Sequence, residues 1–176
     1  MGSRSGDVRR AGALRGALVI ACAAAALAAG GCRPSDDEIR RIVRDELASG
    51  MQRQAMTGPG VIGPYSPAVR AGKFLFVSGQ IALDPATGAM RQEDIGVETT
   101  QVLDNVMRIL RAEGYDSTEV VSATVYVRDM KNYTAINTVY ATRFQANNYP
   151  ARVAVEVSAL PKGANVEIAV IAYRDH

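Results

Sequence analysis

The sequence predicts an α+β sandwich of element order ββαβαββ, with two helices on one face of a mixed or antiparallel sheet. Three observations carry this reading. Two apolar stretches of period 2, at 68–80 and 150–172, open and close the body, and each turns back on itself. Between them lie two stretches of helical spacing, Val102, Leu103, Val106, Met107, Ile109 and Leu110 first and Ile136, Tyr140 and Phe144 second. A run rich in β-branched residues at 120–127 separates the helices and reads as a central strand. Helices with an apolar stripe bury it against a sheet, which gives two layers. The other sheet face then has no helical cover. An uncovered apolar face is costly and prone to aggregation, so self-association through it is expected.

Taken in order, residues 1–31 have a basic start ending at Arg15, an apolar run from Ala17 to Ala29, and small residues before Cys32. This is the pattern of a secretory signal, too short and alanine-rich for a membrane span. Leu27-Ala28-Ala29-Gly30-Gly31-Cys32 resembles the lipobox of bacterial lipoproteins, in which the cysteine is lipidated. Ala29 stands where a larger aliphatic residue is usual, and a plain signal peptide or an uncleaved anchor is the alternative. Residues 32–60 read as a tether. Ser35 and Glu38 form a capping box for a helix over 35–47, whose stripe is Ile39, Ile42, Val43 and Leu47. That helix spaces the anchor, packs on the body or pairs with a neighbouring helix. Residues 48–60 read as a mobile linker.

The body, 61–176, begins with Gly63-Pro64-Tyr65-Ser66-Pro67, held extended by its two prolines. A hairpin follows, 68–71 and 74–80 about Gly72-Lys73, and 84–88 is a turn by its Pro and Gly positions. The helices are expected over 98–113, stopped by Gly114, and over 133–146. Strands at 150–157 and 166–172 close the fold.

Composition narrows the chemistry. The chain has 176 residues, 48% hydrophobic and 22% charged, with a net charge of +2. Residues 1–31 hold four arginines against Asp7, or +3, which leaves −1 for the rest. A near-neutral body lacks the concentrated basic face that nucleic acid requires. The two cysteines, Cys22 and Cys32, precede the body, and the only histidine is the last residue, His176. A zinc site or a Ser-His or Cys-His pair would have to rely on that terminal residue, so these chemistries are not expected. No phosphate-binding loop occurs either, so no cofactor is expected.

Gly63-Pro64-Tyr65-Ser66-Pro67-Ala68, Val77-Ser78-Gly79-Gln80, and Pro150-Ala151-Arg152 through Val166-Glu167-Ile168 resemble, in order and spacing, the Rid (YjgF-like) family of enamine/imine deaminases. The similarity runs from about 58 to 173. It implies a chorismate-mutase-like fold, a homotrimer with clefts between subunits, and hydrolysis of 2-imino or 2-enamino acids to 2-keto acids and ammonia. By the resemblance, Arg152 is the substrate-binding arginine and Glu167 the glutamate associated with the attacking water. Tyr65 matches a pocket tyrosine, Ser78 a cleft serine and Asn137 an asparagine near the subunit boundary. Many members carry a cysteine where this chain has Ala154, so no thiol role survives.

The residues suit these roles on chemical grounds. A guanidinium holds a carboxylate bidentately and stays charged at any working pH. A carboxylate on an apolar strand has its pKa raised toward the range useful for proton transfer. Bland roles stand beside each: a surface ion pair for Arg152, a sheet edge or subunit contact for Glu167, core packing for Tyr65, strand-end hydrogen bonding for Ser78, and exposure for Asn137. Glu156 is the competing carboxylate and reads as structural. Two functions are therefore carried forward: a cofactor-free deaminase of small imino or enamino acids, exported and lipid-anchored on the periplasmic side of a bacterial membrane, or a module of the same trimeric fold that binds small carboxylates or acts as a holdase.

Overall fold

The computed structural model describes residues 35–50, 52–58 and 62–175, so Cys22, Cys32 and the signal segment lie outside the described residues. The chain divides into two units, 1–51 and 52–176. In the first, helix α1 (Asp36–Gly50) starts where Ser35 Oγ accepts the Glu38 amide at 3.2 Å, and Asp36, Asp37 and Glu38 face the positive end of the helix dipole. It runs three residues past the expected Leu47. Ile39, Ile42 and Val43 remain exposed.

The second unit contains β1 (Arg53–Ala55), β2 (Ala68–Ala71), β3 (Phe74–Gln80), α2 (Ile95–Ala112), β4 (Val120–Val127), α3 (Tyr133–Ala141), β5 (Ala151–Glu156) and β6 (Val166–Tyr173). From β2 onward this is the expected ββαβαββ order. The six strands lie in the order β1-β2-β3-β6-β4-β5, and only β4 and β5 run parallel, so the sheet is mixed. Strand β1 falls inside the stretch read as linker. Its Arg-Gln-Ala sequence is exposed throughout and has no apolar alternation to reveal it. Backbone pairing alone holds it, Gln54 opposite Arg70, where β2 would otherwise present an open edge.

In this unit the start of α2 and the end of α3 also differ from the expectation. Helix α2 begins three residues earlier because Asp94 caps it, its Oδ1 accepting the Val97 amide at 2.8 Å. Helix α3 ends at Ala141, and the turn that follows still carries Phe144 into the core against Tyr140, ring centroids 4.6 Å apart. The hairpin turns at Gly72, whose φ of 57° is left-handed backbone that glycine adopts without cost.

One core lies between the helices and a single face of the sheet. Val102, Leu103, Val106 and Leu110 of α2 and Ile136 of α3 meet Leu75, Val125, Val127, Val166 and Ile168 there. On the opposite face Phe74, Phe76, Val153 and Val155 are 38–51% exposed, with Thr124, Ala169 and Ile171 between them in register. That face is apolar and no other element of this unit covers it. The α+β architecture thus stands as expected, with three helices among the described residues.

Candidate functional site

Strand β6 alternates strictly. Val166 and Ile168 enter the core, so Glu167 between them projects to the uncovered face, opposite Tyr126 of β4. On its other side the pairing of β3 with β6 shifts register between Val77 and Gln80. Gly79 sits in that irregularity and clears room for the carboxylate. A Cβ at position 79 would collide with Glu167 Oε1 and lie 2.7 Å from its Cδ. Glu167 is half-buried, and burial pushes its carboxyl above the ordinary glutamate value. A cavity of about 240 Å³ opens in front of it, walled by Tyr65, Ser78, Gly79, Ile81 and Pro161.

The proline-bracketed segment reaches this cavity through β3. Ser78 donates its hydroxyl to the Ser66 carbonyl at 2.7 Å, and the Ser78 amide donates to the Pro67 carbonyl at 3.0 Å. Ser78 therefore has the strand-end hydrogen bond weighed for it, and it also lines the cavity. Tyr65 is 44% exposed, too open for a core residue, and its ring forms part of the wall.

Arg152 lies on the other side of the sheet. It pairs with Ala123, a core residue, and so points toward α3. Its Nη2 donates to the Tyr133 hydroxyl at 3.1 Å, and its guanidinium carbon stands 4.6 Å from the Tyr140 ring centroid. Tyr133, Asn137 and Tyr140 share one face of α3 by their spacing. Burial pushes the Tyr140 hydroxyl up to about 12, against the opposing pull of the Arg152 charge. Among the described residues Arg152 makes no ion pair, and the Tyr140 hydroxyl and Asn137 Oδ1 are buried without a hydrogen-bond partner. An aromatic cradle thus holds a positive charge that lacks an anion. Asn137 is half-buried, where exposure had been the bland alternative.

Within one chain, then, Tyr65, Ser78 and Glu167 share a cavity, while Arg152 and Asn137 sit across the sheet from them. Cys32 lies outside the described residues. Glu156 accepts the Met130 amide at 2.8 Å at the start of the short turn before α3, which Asp129 caps, so its contact is structural. Residues not singled out from the sequence are Tyr133 and Tyr140 around Arg152, Gly79 beneath Glu167, and Asn105 and Arg108 on α2. Tyr140 was legible only as a core position, since its contact with Arg152 depends on α3 packing over β5. Asn105 donates to the Ile81 and Leu83 carbonyls at 3.0 and 2.8 Å, which fixes the loop after β3. That loop borders a second cavity, of about 200 Å³. Among the described residues no group of three or more His, Cys, Asp or Glu side chains is gathered that could hold a metal ion.

Comparison with known proteins agrees with this architecture. The family model described as Endoribonuclease L-PSP matches residues 55–174. A RutC family protein of Pyrococcus horikoshii is 50% identical over 117 residues, 66% of this chain and 92% of that protein. A protein of Capra hircus named 2-iminobutanoate/2-iminopropanoate deaminase is 46% identical over 114 residues, 65% of this chain and 82% of that one. The crystal structure of RidA from the Antarctic bacterium Psychrobacter superposes with a TM-score of 0.65 at 36% identity, covering 69% of this chain and 99% of that one. From residue 55 to residue 174, the chain belongs to the Endoribonuclease L-PSP family, which includes the Rid, YjgF and RutC proteins.

Proposed function

We propose that the protein hydrolyses small 2-imino and 2-enamino acids to 2-keto acids and ammonia, in a cleft formed by two copies of the chain. The observation that carries the reading is the split site. An unpaired guanidinium and a desolvated carboxylate lie on opposite faces of one sheet, so no single chain can apply both to one small molecule. A second copy seated on the uncovered face supplies the missing half. β5 is an edge strand, which leaves Arg152 within reach of a neighbour. The deaminase name of the 46% identical relative supports the same chemistry.

In this reading Arg152 of one copy binds the substrate carboxylate bidentately and fixes the adjacent C=N carbon near Glu167 of the next. Glu167 takes a proton from water as the water oxygen bonds to that carbon and returns it to the imine nitrogen, giving a carbinolamine. The carbinolamine's hydroxyl proton then passes through Glu167 to the nitrogen, the C–N bond breaks as the C=O forms, and ammonia leaves with the 2-keto acid. An enamino acid first tautomerises to the imine. Tyr65 walls the pocket and orders the water that Ser78 can hold.

The homotrimer implied by the resemblance would cover the apolar face that a lone chain leaves in water. Sedimentation equilibrium at micromolar concentration is expected to give three times the chain mass, and a monomer under those conditions would contradict the shared cleft. The decisive assay follows keto-acid release from freshly generated 2-iminopropanoate. No acceleration over buffer would replace the deaminase with the carboxylate-binding module. We also propose that the chain is exported and lipid-anchored at Cys32. Palmitate is expected to label the full chain in bacterial cells and to be lost on Cys32→Ala; unlabelled wild type refutes the anchor.

A further inference from the structure

The cavity of about 240 Å³ in front of Glu167 and the one of about 200 Å³ beside α2 share Ile62, Tyr65, Gly79 and Ile81, so they adjoin along a common wall. Arg108 lines the second but not the first, one turn along α2 from the buried Asn105 and on the same face. Arg108 is half-buried, its Nε is buried without a partner, and among the described residues it forms no hydrogen bond or ion pair. A guanidinium partly withdrawn from water with no anion beside it is costly to the free protein. Lys162 lines the same space. Asp84 does too, but the Ala86 and Thr87 amides occupy its Oδ1, and no ion pair joins it to Arg108. Two cations and one carboxylate leave the lining of that cavity positive.

We infer that Arg108 receives a second carboxylate, carried on the substrate's side chain, so that the site accepts 2-imino dicarboxylates. The inference rests on the deaminase reading for where the reacting carbon lies: its α-carboxylate on Arg152 of a neighbouring copy, its C=N carbon at Glu167. The side chain then runs past Tyr65 to Arg108. Arg108 is thereby a specificity residue, away from the reacting atoms.

The test compares kcat/KM for 2-iminobutanoate and 2-iminoglutarate, both generated in place by an amino-acid oxidase, in wild type, R108M and R108K. A lost charge-assisted hydrogen bond should lower the dicarboxylate-to-monocarboxylate ratio by roughly 10- to 100-fold in R108M, with partial recovery in R108K, which keeps the charge. An unchanged ratio, or a wild-type preference for an imino acid with a cationic side chain, overturns the inference. Calorimetric binding of 2-oxoglutarate against 2-oxobutanoate reads the same ratio without turnover. If neither imine is hydrolysed but 2-oxoglutarate binding falls in R108M, the deaminase reading fails and the Arg108 site stands. If 2-iminobutanoate is hydrolysed and neither ratio responds to R108M, the deaminase stands and the Arg108 site fails. Retention of the wild-type sedimentation behaviour by R108M excludes misfolding as the cause.

Discussion

Arg152→Ala is expected to lower kcat/KM for 2-iminopropanoate by about 10²- to 10³-fold, the scale of losing a bidentate, charge-assisted pair with a carboxylate. Its cost in stability should be small. Arg152 has no ion pair to lose among the described residues, and its stacking over Tyr140 is worth roughly 0.5–2 kcal/mol. Removing the guanidinium also relieves a charge that lacks an anion. Arg152→Lys should recover only part of the activity, because an ammonium cannot present two parallel N–H groups to the carboxylate. Steady-state kinetics with denaturation midpoints separate the two effects. A change of under about threefold in kcat/KM with a large loss of stability would mean that Arg152 braces α3 against β5 and does not bind substrate.

Glu167→Gln is expected to cost about 10²- to 10⁴-fold in kcat, the range for loss of a positioned acid–base group, while leaving the protein as stable as before or more so. The direction follows from its raised pKa. Burial favours the protonated carboxyl in the folded state, so its folded pKa lies above its unfolded one. The stability it contributes is fully present below the unfolded pKa and is lost as pH rises through the folded value. The neutral amide avoids that loss, so the advantage of the variant should appear at pH 8 and shrink near pH 4. Wild-type kcat/KM should rise with pH through the same raised pKa, as Glu167 becomes able to take a proton from water, and the variant should lack that limb. Urea midpoints and rate profiles at matched pH check both halves. A Gln variant with wild-type kcat and an unchanged profile would assign the proton transfer elsewhere.

These two residues show how far the sequence reaches. Period-2 alternation placed Glu167 on a strand, because Val166 and Ile168 on either side must enter a core and force the glutamate to the other face. The helical stripes of Val102 to Leu110 and Ile136 to Phe144 likewise marked which faces are buried, since burial of apolar area is a local and periodic demand. Strand β1 left no such trace: its three exposed residues are held by backbone hydrogen bonds, to which side-chain patterns are blind. The Asp94 cap moved the start of α2 for a related reason, one side-chain oxygen outweighing the weak propensities of Ile95-Gly96-Val97.

By itself the sequence determined the α+β element order, the core stripes and the uncovered face, all of them consequences of apolar periodicity within a short window. It also supplied Arg152 and Glu167 as chemically apt residues. Only the tertiary structure decided that they face opposite sides of one sheet, that Tyr133 and Tyr140 cradle the one, and that Gly79 makes room for the other. It also brought Arg108 to the wall shared with Tyr65. Strand pairing and the docking of α3 on β5 join residues far apart in the chain. Those relations depend on register and packing, which no local pattern encodes.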